Sequence, residues 1–277
     1  MGLKLDSQLW KHFGSSEPLV PVLLSVPHSG TLVTKDFKQI CATPSILSLP
    51  DTDWHVDRVY DFAAELGVFS IKALYSRYII DLNRPGPDQP PLYHSRKPTS
   101  LIPLVTFAGD PIYQQGNEPT EQKIIESMEE FYQPYYTAIE NMMEECISRF
   151  GKVLLIDGHS IRSSVKSIQE ESFPDFILGN RKGETCPPEI MEKAKNALES
   201  NGFQCSLNDP FQGGQITRYF HKQIENSYTL QIEMSQSIYM NEETGDLITE
   251  RFNRTQRALR DLVKSLISDM KKRCETD

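Results

Sequence analysis

Cysteine is scarce and unpatterned in this 277-residue chain: Cys41, Cys146, Cys186, Cys205 and Cys274 are its five, with no CxxC pair among them. An odd count without paired spacing argues against a disulfide framework and a cysteine-built zinc site, and it suits a reducing cytoplasm. No apolar run approaches the roughly 18 residues of a membrane span. Positive charge is in deficit, since 29 Lys and Arg face 38 Asp and Glu for a formal net charge of −9. A surface of that sign repels phosphate backbones, so nucleic acid is not an expected partner, and without an apolar span neither is a membrane. The first residues, Met1-Gly2-Leu3-Lys4-Leu5-Asp6-Ser7, lack the apolar core of a secretory signal. Asp6 also stands where a myristoylation motif requires Ser or Thr. Internal repeats and low-complexity tracts are missing. What is present, 38% hydrophobic and 24% charged residues, is ordinary globular composition with enough chain to bury a core.

Short apolar runs alternate with helical patterns. Val20–Val26 reads as a buried strand stopped by Pro27-His28-Ser29-Gly30. From Asp51 the spacing of Trp54, Val59, Phe62, Ala63 and Leu66 predicts a helix ended by Gly67. Val68–Leu74 and Tyr78–Leu82 read as further strands. Residues 85–119, rich in Pro and Gly, exceed an ordinary connection and have the character of a substrate loop. Thr120–Phe150 reads as a long helix capped by Thr120 and kinked at Pro134. Lys152–Ile156, Phe176–Leu178, Phe203–Leu207 and Tyr228–Ile232 complete the strands; Pro188–Ser200 and Asp246–Lys272 complete the helices. The alternation predicts an α/β protein whose mostly parallel sheet is covered on both faces. No linker divides the chain, so residues 1–277 are expected to form one domain.

In open α/β sheets, sites gather at the carboxyl ends of strands. Three of the expected strands end in groups suited to metal or acid–base chemistry: His28, His159 and Glu233. The chain has only six histidines. A strand-end histidine is by itself more often structural than a ligand. Two of them with a carboxylate suggest a His/carboxylate/His zinc site that keeps a position open for water. The acids of Asp51-Thr52-Asp53-Trp54-His55-Val56-Asp57 are candidates for that carboxylate, although acids also favour a helix N-terminus. This segment alone does not choose among Asp51, Asp53 and His55. Arginines form a second set: Arg77 and Arg84 bracket one expected strand, and Arg218 follows Gly213-Gly214. Arginine binds carboxylates bidentately, so such a set in a cleft points to an anionic substrate, against the simpler reading of surface ion pairs. Ser29 and Ser160 adjoin the two histidines, but no nucleophile triad pattern surrounds them.

Six motifs occur in order: VPHSG at 26–30, LPDTDWHVDRVYDFA at 49–63, SRYIIDLNRP at 76–85, DGHSIRS at 157–163, GGQITRYF at 213–220 and QIEMSQSIYM at 231–240. Together they resemble the N-formylglutamate amidohydrolases, also called deformylases. The resemblance implies a three-layer αβα fold with a mostly parallel mixed sheet, related to the zinc carboxypeptidases and the wider phosphorylase/hydrolase-like folds. It also implies hydrolysis of N-formyl-L-glutamate to L-glutamate and formate, the last step of one histidine degradation route. Carried onto this chain, it implies one Zn2+ held by His28, Asp53 and His159. Asn83 and Arg84 then match a pair that binds a substrate carboxylate, and Glu233 matches the general base. Arg77 is expected at the oxyanion, and Arg84 and Arg218 at the two carboxylates of a small N-formyl or N-acyl amino acid. The chain departs from the usual pattern at Tyr135-Tyr136, Gln215 and Tyr219-Phe220-His221, none of them an expected ligand. A different N-acyl amino acid or small peptide, or an inactive metal- or anion-binding relative, is the competing expectation.

Overall fold

The computed structural model of the chain describes residues 8–87, 89–92 and 100–275. The strands are β1 (Trp10–His12), β2 (Val22–Val26), β3 (Phe69–Ala73), β4 (Val153–Ile161), β5 (Phe176–Gly179), β6 (Cys205–Leu207) and β7 (Ser227–Ser235). They form one seven-stranded sheet in the order β1-β3-β2-β4-β7-β5-β6. The core β3-β2-β4-β7 is parallel, β1 and β5 run antiparallel to their inner neighbours, and β5 and β6 are parallel. The helices are α1 (Lys35–Ile40), α2 (Val56–Val59), α3 (Glu121–Ser127), α4 (Gln133–Phe150), α5 (Pro188–Ser200), α6 (Gln215–Gln223) and α7 (Thr249–Glu275). No described helix is long and apolar enough to cross a membrane.

The two-residue period of a strand sends alternate side chains to opposite faces. Leu154, Ile156, Leu230 and Ile232 therefore meet Leu198 of α5 and Leu259, Leu262 and Leu266 of α7. Val153 and Leu155 meet Tyr135, Ile139 and Met143 of α4 and Ile216 and Phe220 of α6. Helices thus cover both faces, giving three layers. Each such Leu or Ile, fully buried, contributes roughly 1.5–3 kcal/mol relative to exposure.

Several elements differ from the sequence expectation. Tyr78–Leu82 is buried but irregular: Ile79 N donates to Ser76 O and Asp81 N to Leu101 O. A short apolar run specifies burial without specifying a strand. The helix expected from Asp51 contracts to α2 and a 3-10 turn at Asp61–Ala63. Asp53 N donates to His28 O instead of entering a helical ladder, and His55 sits in the left-handed region at φ 61°. The long helix is present as α3 and α4, capped by the Thr120 side chain. A π-helical stretch over Met128–Tyr132 joins its halves, just before Pro134, whose ring cannot donate an i→i−4 bond. Strands β4 and β7 run past the expected ends, through His159 and Glu233. Of the long loop 85–119, residues 88 and 93–99 lie outside the described residues, as do the N-terminal residues 1–7; the described remainder contains no helix or strand.

Gly30 shows how tightly the first site loop is held. A Cβ on it would lie 2.4 Å from the Tyr75 carbonyl oxygen and 2.5 Å from Leu74 C, both backbone atoms that cannot step aside. Gly30→Ala should lower stability by about 1–3 kcal/mol, the range for overpacking, read as a fall in the urea midpoint with an unchanged m-value.

Candidate metal centre and active site

The unequal lengths of the central strands create the site. The β2–β4 pairing closes at Ser25↔Asp157, whereas β4 and β7 stay paired through His159↔Glu233 to Ile161↔Ser235. Asp157, His159, Gln231 and Glu233 alternate with residues of the α5/α7 core, so they share the face under α4 and α6. His28 follows β2 by two residues, and the Asp53 N–His28 O bond (3.1 Å) brings the next loop beside it. His28, Asp53 and His159 converge, with ligand-type atoms all within 4.8 Å of one another. Asp53 Oδ2 lies 3.7 Å from His28 Nδ1 and 3.0 Å from His159 Nδ1. It also accepts the Ser160 N–H at 3.2 Å.

Both imidazoles are gripped from behind. Asp81 Oδ1 lies 2.8 Å from His28 Nε2, and Asp157 Oδ2 lies 3.0 Å from His159 Nε2. With the proton on Nε2 donated to these carboxylates, each Nδ1 is left facing Asp53, where a proton or a metal cation can sit. This is how metal-binding histidines are oriented and made more basic. His28 Nδ1 is buried and has no hydrogen-bond partner among the described residues. Such an orphan is costly unless a cation completes it, so two imidazole nitrogens and one carboxylate here fit a divalent ion.

The electrostatics agree. Burial alone would raise the Asp53 carboxyl, but the His159 and His28 imidazoles hold it well below the usual carboxylate range. Burial opposes a charge on His159, yet Asp157 and Asp53 push its pKa well above the ordinary histidine value. The carboxylates thus demand positive charge at this point, which either a proton or a metal cation supplies. Arg77 is buried among the same acids. Its Nη2 donates to Asp81 Oδ2 at 2.6 Å, its Nη1 lies 3.6 Å from Asp53 Oδ1, and its guanidinium sits 4.9 Å over the Phe107 ring. Glu233, 8% exposed, is the lateral neighbour of His159; burial pushes its carboxyl up to about 8.

The two alternative ligands are occupied elsewhere. Asp51 Oδ2 accepts from Tyr78 OH and Phe107 N, each at 2.9 Å, and His55 Nε2 donates to Gly245 O at 2.8 Å. Asn83 lies inside the cluster, but its amide is committed to it. Its Oδ1 accepts the Ile216 N–H of α6 at 2.9 Å; its Nδ2 lies 2.9 Å from His159 Nε2 and 3.3 Å from Asp157 Oδ2. Arg84 Nε is 4.0 Å from Asp81 Oδ2. Arg218 stands apart, donating to Pro90 O, Pro91 O and Gln215 Oε1. Ser160 Oγ pairs with Tyr239 OH at 2.9 Å, not with an imidazole. Sequence reading missed Asp81 and Asp157. The signal was available: Asp157 precedes His159 by two residues, the spacing that puts both on one face of a strand.

The profile of the family described as N-formylglutamate amidohydrolase matches residues 20–240. The chain belongs to the N-formylglutamate amidohydrolase family. N-formylglutamate deformylase of Pseudomonas putida is 35% identical to it over 251 residues, 90% of this chain and 93% of that protein. N-formylglutamate deformylase of Pseudomonas aeruginosa is 36% identical over the same shares. A crystal structure of N-formylglutamate amidohydrolase from Ralstonia eutropha JMP134 matches with a TM-score of 0.79 at 26% identity, covering 95% of this chain and 98% of that one. A gene product of Agrobacterium tumefaciens shares the fold, with a TM-score of 0.72 at 16% identity and coverage of 99% and 98%. By family, the chain is an enzyme of the amide-hydrolysing class.

His28→Ala and His159→Ala should each lose bound divalent metal, measured by elemental analysis after dialysis, while Asp51→Asn and His55→Ala retain it. Asp81→Asn, which loosens the His28 ring, should weaken metal binding roughly 10–100-fold in a chelator competition, the usual effect of losing such a partner.

Proposed function

We propose that the chain acts as one amidohydrolase domain over residues 1–277 and hydrolyses the formamide C–N bond of N-formyl-L-glutamate to L-glutamate and formate. In this reading one zinc ion per chain is held by His28, Asp53 and His159. The observation that carries it is the convergence of these three buried groups beside Glu233, with an orphaned His28 Nδ1 facing Asp53. Two imidazoles and one carboxylate leaving room for water is the donor set of catalytic zinc. Bound there, zinc supplies Lewis acidity, polarising a carbonyl and lowering the pKa of a coordinated water to about 7.

The chain's own residues supply the rest. Glu233 takes a proton from the attacking water and returns it to the departing amine nitrogen. Its carboxyl, raised to about 8 by burial, is close enough to neutrality to do both. Arg77, pinned by Asp81, keeps a guanidinium beside Asp53, where negative charge grows on the former formyl oxygen. Asp81 and Asp157 hold the imidazoles. Asn83 acts by position: its amide donates to Asp157 Oδ2 and accepts from Ile216 N, tying the carboxylate behind His159 to the start of α6. Arg84, next to Asn83, is assigned to the substrate α-carboxylate, and Arg218 to its side-chain end. The reaction would complete a histidine degradation route. A cytoplasmic setting is favoured by five free thiols.

The test is formate release by zinc-reconstituted protein across a panel of N-formyl and N-acyl amino acids, ranked by kcat/KM. N-formyl-L-glutamate should rank first; a better neutral or acetylated substrate would overturn the substrate assignment. Glu233→Gln should keep its metal and lose about 10²–10⁴-fold in kcat, the range for a lost general base. An unchanged kcat would remove Glu233 from that role.

A further inference from the structure

Arg181 was not singled out by the sequence motifs, yet it reaches the turn that precedes α6. The backbones of β5 and this turn touch: a Cβ on Gly179 would lie 2.6 Å from Gly213 N. Two residues beyond Gly179, Arg181 N donates to Gln212 O at 2.6 Å and Arg181 Nη1 to Gly213 O at 3.4 Å. A Cβ on Gly213 would lie 3.2 Å from Arg181 Cγ and 3.1 Å from Thr217 Cγ2, so the Arg181 stem packs along the first turn of α6 beside the residue preceding Arg218. Arg181 and Lys182 both hold left-handed backbone, at φ 51° and 59°. Neither is glycine, and such a conformation persists only where the surroundings over-determine it.

The charges at this turn are unbalanced. Arg218 donates to Gln215 Oε1, Pro90 O and Pro91 O, all neutral oxygens. Arg181 has 15% of its side chain exposed, and its acid partner among the described residues is Glu184, 3.2 Å away with a side chain 69% exposed. Burial, and after it the charge of Arg181, both weaken the hold of Arg218 on its proton. Two guanidiniums beside one helix start, partnered by neutral oxygens and one solvent-exposed acid, leave positive charge that an anion would offset. The same turn adjoins the metal centre: Gly214 N donates to Gln231 Oε1, and Ile216 N to the Asn83 that touches His159.

We propose that Arg181 and Arg218 together form the subsite for the side-chain carboxylate of the substrate, making Arg181 a determinant of specificity for acidic N-acyl amino acids. This rests on the reading of the centre as an N-acyl amino acid hydrolase. Arg84 takes the α-carboxylate, and the arginine pair takes the distal one.

The test uses binding of the full, zinc-loaded chain to L-glutamate and to L-norvaline, which has the same number of carbons and no side-chain charge. Calorimetry should show that the unmutated protein prefers glutamate. Arg181→Gln should weaken glutamate binding about tenfold or more, with norvaline unchanged, as expected when one arm of a charge-paired site is removed. Glu184→Gln, at an exposed position, removes the competing acid and should tighten glutamate binding about two- to fivefold, the scale of an exposed ion pair. That variant decides the matter even if Arg181→Gln fails to fold. No preference for glutamate in the unmutated protein, equal losses for both amino acids in Arg181→Gln, or unchanged glutamate affinity in Glu184→Gln would overturn the subsite. Formate release separates the two readings: no release from N-formyl-L-glutamate, with glutamate selectivity still dependent on Arg181, would sink the proposed reaction and leave the subsite standing.

Discussion

The site depends on one electrostatic constraint: three buried aspartates gathered around two imidazoles. Asp53 lies between His28 and His159, while Asp81 and Asp157 hold the far nitrogens of the same rings. Carboxylates this deeply buried persist only when positive charge is supplied at close range. Arg77 supplies part of it through Asp81 and Asp53. The remainder falls on the point where both Nδ1 atoms face Asp53, a charge that a proton or a metal cation can supply there.

The scaffold meets this constraint by strand length and register. A sheet in which β2, β4 and β7 stopped together would leave Glu233 and His159 on frayed loops. Because β4 and β7 remain paired to Ile161 and Ser235, the proposed base and one imidazole are set side by side on hydrogen-bonded backbone. The flanking loops are fixed by contacts made at a distance. Asp53 N is bound to His28 O, Gly30 is pressed on Leu74 and Tyr75, and the Tyr239 hydroxyl donates to Trp54 O at 2.7 Å. Groups held this way need little rearrangement during a reaction, which is where preorganised sites gain their rate.

Asn83 joins this centre to the cationic turn. Through it the first turn of α6 is coupled to His159 and Asp157, while the Gln215 side chain of the same turn donates to Gln89 of the long loop. The His28/Asp53/His159 cluster and the arginine-bearing turn therefore share one helix start. A substitution in α6 would be felt at both.

Much of this was legible in the amino-acid order. Val20–Val26, Lys152–Ile156 and Tyr228–Ile232 announced the central strands because buried parallel strands are continuous apolar runs. Pro188–Ser200 announced α5 because its period and its leading proline are local signals. The family motifs carried His28, Asp53, His159 and Glu233. Other features belonged to the tertiary structure alone. Tyr78–Leu82 became a buried irregular segment, and the residues after Asp51 gave up most of a helix, since their backbone bonds go to Leu101 and His28, far away in sequence. The resemblance had named Asp53, and the structure supplied the physical ground for it over Asp51 and His55 as the group facing the imidazoles: Tyr78, Phe107 and Gly245 engage the other two. Local order sets periodicity and chemistry. Which of several neighbouring acids faces a given point in space depends on hydrogen bonds between segments that only folding brings together.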